Sequence, residues 1–122
     1  MNPLAELTIE DHDGFQLARI DGEIDLSNAS QLLDRLLAAI SNQSHSVILD
    51  LSATGYLDSA GLRLVFETRR ALGARRQQLR VVAPPNTFVA DVLHATRLGD
   101  SIPIDPSLSD SLDAVARSAT RG

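Results

Sequence analysis

The chain has no cysteine and no lysine, and these two gaps remove several chemistries before any motif is read. Without cysteine there are no disulfides, no thiolate zinc sites and no thiol nucleophiles. Without lysine there is no Walker-type phosphate-binding loop, which needs one to reach the phosphates. Tryptophan is also missing, and aromatic residues make up only 3% of the chain. With 43% hydrophobic residues a core is available, but it must be built from Leu, Ile, Val and Ala. No N-terminal apolar run resembles a signal peptide, and no stretch is long enough to cross a bilayer. The cytoplasm is therefore the expected location, with no membrane partner. His12, His45 and His94 sit in separate segments without metal-ligand spacing, so no metal and no cofactor is expected.

What is present is unevenly charged. The net charge of −5 argues against nucleic acid, whose phosphates need a cationic surface. Residues 1–25 carry seven acidic side chains against the single Arg19. Residues 63–80 carry six arginines: Arg63, Arg69, Arg70, Arg75, Arg76 and Arg80. An Arg-for-Lys bias of a GC-rich genome accounts for the arginines blandly; a basic helix end meeting an acidic partner is the functional alternative. The length of 122 residues suits one domain, taken as 1–122 with an ordered core of about 5–119 and frayed residues 1–4 and 120–122.

Two short apolar runs flank Asp13-Gly14, a hairpin signal, and predict antiparallel strands over 5–11 and 14–21. Gly22 and Asp25 then break the strand pattern. Ala29, Leu32, Leu33, Leu36, Leu37 and Ile40 form the clearest helical stripe, with Ser27 or Asn28 to cap it and Asn28 and Gln31 at capping-box spacing. Val47–Leu51 reads as a central strand buried on both faces. A loop containing Gly55 leads to a helix over 59–76, with Leu62, Val65, Phe66 and Leu72 on one side. A strand over 79–83 follows, then a helix capped by Asn86 with Phe88, Val89, Val92 and Leu93. Ile102 and Ile104 suggest a short edge strand between prolines. A last helix over 109–119 has Leu112 and Val115 inward. The order ββαβαβαβα implies a layered α/β domain with parallel crossovers.

The loop from Asp50 to Leu62 carries the functional signal. It joins the C-terminal end of a buried strand to a helix start, the edge where open α/β sheets meet their ligands. Asp58 is placed to cap that helix. Ser59 is then its first residue with a free hydroxyl, at a position where free N–H groups favour an added phosphate. Gly61, with no side chain, is expected to keep the first turn open beside Ser59. On these grounds alone, Asp58 and Ser59 read more readily as plain capping residues.

Asp50-Leu51-Ser52 followed by Leu57-Asp58-Ser59-Ala60-Gly61-Leu62 resembles the signature of the STAS domain, named for sulfate transporters and anti-sigma factor antagonists. Ile20-Asp21-Gly22-Glu23-Ile24-Asp25-Leu26 resembles the family's second strand and exit loop, and the likeness runs from about Leu7 to Ala116. It implies a mixed sheet of four to five strands with about four helices packed mainly on one face. It also implies a non-enzymatic anti-sigma factor antagonist. Such a protein binds an anti-sigma factor, often a serine kinase, and so frees a sigma factor; a phosphatase completes the cycle. The phosphorylated serine carries over to Ser59 and the adjacent acid to Asp58. The acid of the strand-exit loop carries over to Asp25. The partner surface implied is Asp25, Tyr56, Asp58, Ser59, Ala60 and Gly61. Many members have Ser or Thr after the phosphorylated serine; here Ala60 excludes modification at that second position.

Other readings are weaker. A serine hydrolase wants Gly-x-Ser-x-Gly, and the run Leu57-Asp58-Ser59-Ala60-Gly61 lacks the first glycine. Asp25, Asp50 and Asp58 are a conceivable Mg²⁺ set, but Asp50 ends a buried strand, where it is expected to bond loop N–H groups. A subunit of a stressosome or of a lipid-transport ATPase is the alternative binding role. The tail of an anion transporter is disfavoured by the lack of a membrane segment.

Overall fold

The computed structural model describes residues 3–120, and the outermost residues expected to fray lie outside them. Strands β1 (Ala5–Asp11) and β2 (Phe15–Ile24) form the expected hairpin, antiparallel with Ala5 opposite Gly22. Gly14 turns it with φ +85°, a conformation open to glycine without a Cβ penalty. Helix α1 (Ala29–Ala39), strand β3 (Ser46–Asp50), strand β4 (Thr54–Leu57) and helix α2 (Ser59–Ala74) follow. Strand β5 (Gln78–Val82), helix α3 (Phe88–Ala95), a 3₁₀ turn at Leu98–Asp100, strand β6 (Ile104–Asp105) and helix α4 (Leu108–Thr120) complete the chain.

The strand order is β1-β2-β3-β5-β6, with β4 beside β2. Every pairing except the hairpin is parallel, so the sheet is mixed. Six strands exceed the four to five expected. The extra one is β4, expected as loop, and its partner is the end of β2, which continues past the expected break to Ile24. Gly22 is the device that allows this. It sits at φ +121° beside a register shift, and a Cβ there would lie 2.3 Å from the Leu4 carbonyl oxygen. A β-bulge re-aims the strand without ending it. The Leu4 carbonyl also accepts from Glu23 N at 3.1 Å, so the chain is tied to the sheet from residue 4.

Alternation along the central strands feeds two cores. Ala18, Ile20, Val47, Leu49, Leu79 and Val81 join the larger, with Leu36, Val65, Leu72 and Leu93 from α1, α2 and α3. Leu17, Ile48 and Val82 point the other way, onto Val115 and Leu108 of α4. Three helices therefore cover one face and one helix the other. This double burial is why residues 47–49 read as a continuous apolar run. The smaller face also holds ion pairs. Arg80 donates to Asp105 at 2.8 and 2.9 Å, and the buried Ser111 hydroxyl of α4 donates to the same carboxylate.

Several local expectations need correcting. Asn28 sits at the N-cap of α1 but does not cap it, because its Oδ1 accepts from Asp25 N at 2.9 Å. Thr87, not Asn86, caps α3, accepting from Ala90 N; Asn86 adopts φ +67° in the turn before it. α2 stops at Ala74 rather than residue 76. Phe66, Phe88 and Leu112, expected inward, are 45%, 50% and 37% exposed. The inward positions of α2 are Gly61, Leu64, Val65, Thr68 and Leu72, a stripe rotated from the one expected.

Candidate partner-binding site

β4 ends in Leu57, buried at the base of the site, and hands the chain to Asp58 in an extended conformation. An aspartate there can do two jobs, and the structure uses both oxygens. Oδ1 accepts from Ala60 N at 2.8 Å and Gly61 N at 3.2 Å, satisfying two of the orphan donors of α2. Oδ2 accepts from Leu26 N at 3.2 Å, tying the helix start to the loop that leaves β2. Asp58 N in turn donates to the Ile24 carbonyl at 3.2 Å. Ser59 is left as the first helical residue, exposed and, among the described residues, with no side-chain hydrogen bond.

The loop after β2 is fixed by its own side chains. Asp25 Oδ1 accepts from the backbone N and the hydroxyl of Ser27, at 2.8 and 2.5 Å. The Ser27 hydroxyl bond and then its N–H hold the Asp25 carboxyl below its ordinary pKa. Asn28 Nδ2 donates to the Glu23 carbonyl at 2.8 Å. These bonds stand in for a helical cap and project Leu26 outward, 85% exposed.

Gly61 has a different task from the one expected. A Cβ on it would lie 2.7 Å from Leu57 Cβ and 3.3 Å from Ile24, so the glycine lets α2 close onto β2 and β4. It is buried and supports the site from beneath. Tyr56 is 42% exposed and stacks on Phe88 of α3, ring centroids 5.3 Å apart and 11° from parallel. An exposed aromatic and a packed one were the two expectations for Tyr56, and it has a share in each. An open groove of about 630 Å³ runs between α1 and α2, with Leu26 and Leu33 on one wall and Ser59, Ala60 and Arg63 on the other.

The fold thus brings Asp25, Tyr56, Asp58, Ser59 and Ala60 to one end of the sheet. It adds Leu26, Phe88 and Arg63, which the sequence reading did not single out for the site. Leu26 carried a signal: it is an apolar residue outside any strand or helix stripe. Phe88 looked like core because it fits the α3 pattern. Asp50 belongs elsewhere. It is buried, accepts from Ser52 N at 2.9 Å and from Arg19 at 3.1 and 3.2 Å, and forms no carboxylate cluster with Asp25 and Asp58. Among the described residues, no three His, Asp or Glu side chains are grouped to hold a metal ion. Nor is any helix there long and apolar enough to cross a membrane.

A mixed sheet with helices on both faces and a capped helix start carrying a free serine defines a small α/β domain with its distinctive surface at one sheet end. The family model for the STAS domain matches residues 6–111, and the chain belongs to the STAS domain family. A curated relative, the anti-sigma-F factor antagonist RsfB of Mycobacterium tuberculosis, is 28% identical over 109 residues, 89% of this chain and 88% of its own length. A crystal structure of an anti-sigma factor antagonist from Mycobacterium paratuberculosis superposes with a TM-score of 0.81 at 32% identity. That match covers 92% of this chain and 94% of the other. The unphosphorylated anti-sigma factor antagonist SpoIIAA superposes with a TM-score of 0.68 at 19% identity over 91% of this chain and 98% of its own, a likeness of fold.

Proposed function

We propose that this protein is an anti-sigma factor antagonist of the partner-switching kind, a cytoplasmic binding protein with no catalytic role. Unmodified, it binds an anti-sigma factor that is also a serine kinase, and so frees a sigma factor. Phosphorylation of Ser59 releases the partner, and a phosphatase resets it. The observation that carries the reading is the division of labour at the start of α2. Asp58 takes the capping bonds, which leaves the Ser59 hydroxyl exposed on the rim of the groove and free to be modified. The family and the names of its relatives support the partner class. The contact surface proposed is Asp25, Leu26, Tyr56, Asp58, Ser59 and Ala60, with Gly61 beneath.

The test begins with capture of the partner from the source cell. The protein is then incubated with that kinase and ATP, the phosphate is mapped by mass spectrometry, and both forms are titrated against the anti-sigma factor. Binding should weaken at least about a hundredfold on phosphorylation, a change of about 3 kcal/mol. Ser59→Ala should bind and resist the kinase. Equal affinities of the two forms, or phosphate at another residue, would refute the switch.

A further inference from the structure

Arg63 lies four residues after Ser59 in α2, so the two side chains stand one above the other on the same helix face. Both line the groove between α1 and α2. Arg63 is exposed and, among the described residues, has no hydrogen bond or ion pair. Its other neighbour in that groove, Glu67, is turned to Arg70 at 4.0 Å. The acids nearest the helix start are also engaged, Asp58 with three backbone N–H groups and Asp25 with Ser27. Of the six arginines between 63 and 80, Arg80 is paired with Asp105 and Arg69 donates to the Ser101 carbonyl at 3.0 Å. Arg63 is a free guanidinium within one helical turn of the proposed modification site.

We infer that Arg63 is the intramolecular partner of the Ser59 phosphate, a positioning residue that clamps the phosphate over the groove in the released state. This rests on the proposed phosphorylation of Ser59. A phosphate adds about −1.5 to −2 charges and three acceptor oxygens, and an arginine fork matches such an oxygen pair. The order along the helix, anion before cation at i, i+4, is the favourable one. Modification then changes two charges in the groove wall at once. It adds the phosphate and withdraws Arg63, which in the unmodified protein is free to meet an acidic side chain of the partner.

The pairing itself is measured with neither kinase nor partner. Full-length protein carrying phosphoserine at position 59, installed during synthesis, is titrated by ³¹P NMR. The second ionisation of the phosphate, ordinarily near pH 6, should fall about 0.3 pH unit lower in the wild-type background than in Arg63→Gln. Arg63→Lys should keep part of the difference. Arg75→Gln, past the far end of the helix, removes the same charge and should match wild type. The difference should shrink in 1 M salt, as an exposed pair does. The same midpoint in wild type and Arg63→Gln overturns the pairing whatever the partner assay gives, as does an equal displacement by Arg75→Gln. A shifted midpoint without loss of partner binding overturns the switch and supports the pairing.

Discussion

Replacing Asp58 separates the two bonds that its carboxylate makes. Asp58→Ala removes the cap from Ala60 N and Gly61 N, which costs about 0.5–2 kcal/mol. It also frees Leu26 N, at about 0.5–1.5 kcal/mol for one intramolecular bond. The sum is about 1–3.5 kcal/mol. Asp58→Asn keeps an oxygen for the cap, where asparagine serves as well as aspartate. Its amide nitrogen, though, cannot accept from Leu26 N, and the charge that favours a helix start is gone, worth about 0.3–1 kcal/mol. That variant should lose about 0.8–2.5 kcal/mol. Urea unfolding followed by circular dichroism measures both, with the slope unchanged if only native-state bonds are lost. Ser59→Ala, touching no bond, should stay within about 0.5 kcal/mol of wild type. The melting temperature of a chain this size should drop by roughly 3–6 °C per kcal/mol. Equal stability of the alanine and asparagine variants would show that the cap contributes nothing. Wild-type stability of Asp58→Ala would refute the account of the site as a braced structure.

Leu49→Ala or Leu36→Ala, each fully buried in the larger core, should cost about 2–5 kcal/mol in chemical denaturation. Gly61→Ala should destabilise by about 1–3 kcal/mol, because its Cβ meets Leu57 and Ile24; an unchanged melting curve would contradict the close approach. Tyr56→Ala should cost only about 0.5–1.5 kcal/mol through the lost Phe88 stack while weakening partner binding more; a loss confined to stability would leave Tyr56 a packing residue. Arg80 and, less strongly, Ser111 hold the Asp105 carboxyl below its ordinary pKa. Its stabilising effect is therefore complete above the unfolded value of about 3.9 and is lost as pH falls through the lower folded value. Denaturant titrations below pH 4 should show a stability slope that Asp105→Asn flattens.

How far the sequence could be read depended on whether one residue or its surroundings decided the outcome. The α1 stripe, the hairpin at Asp13-Gly14 and the apolar run of β3 are set by local periodicity and turn chemistry, and all three form as expected. β4 was missed because four residues around Gly55, half of them exposed, alternate too briefly to signal a strand. They become one only where β2 continues past Gly22 to offer a free edge. The tilt of α2 about its axis was misjudged for a similar reason. Phe66 is the bulkiest apolar residue there, yet Gly61 must face Ile24 and Leu57, and that contact turns Phe66 outward. Asp58 was legible as a cap from its place before the helix. Its bond to Leu26, which unites the two loops, depends on β2 and β4 lying side by side and has no trace in either local segment.

That bond bears on how the proposed switch would work. A phosphate on Ser59 repels Asp58, by about 1–2 kcal/mol at ~5 Å in water. The dipole of α2 offsets roughly 0.3–1 kcal/mol of this, and a guanidinium one turn away offsets a similar amount. The free domain should therefore carry the modification with its fold intact, since the cap and the tie to Leu26 do not use the serine. Under a partner the balance differs. The groove wall at Ser59 would be covered, and the water that screens the phosphate would be displaced. One guanidinium leaves part of the phosphate's charge of about −1.5 to −2 uncompensated. Burying that remainder is costly, and a partner fitted to a neutral hydroxyl and a free Arg63 loses its contact with Arg63 as well. The phosphorylated domain should unfold within about 1 kcal/mol of the unmodified one while its partner affinity falls by two orders of magnitude or more. A stability loss matching the affinity loss would instead make release a consequence of unfolding α2.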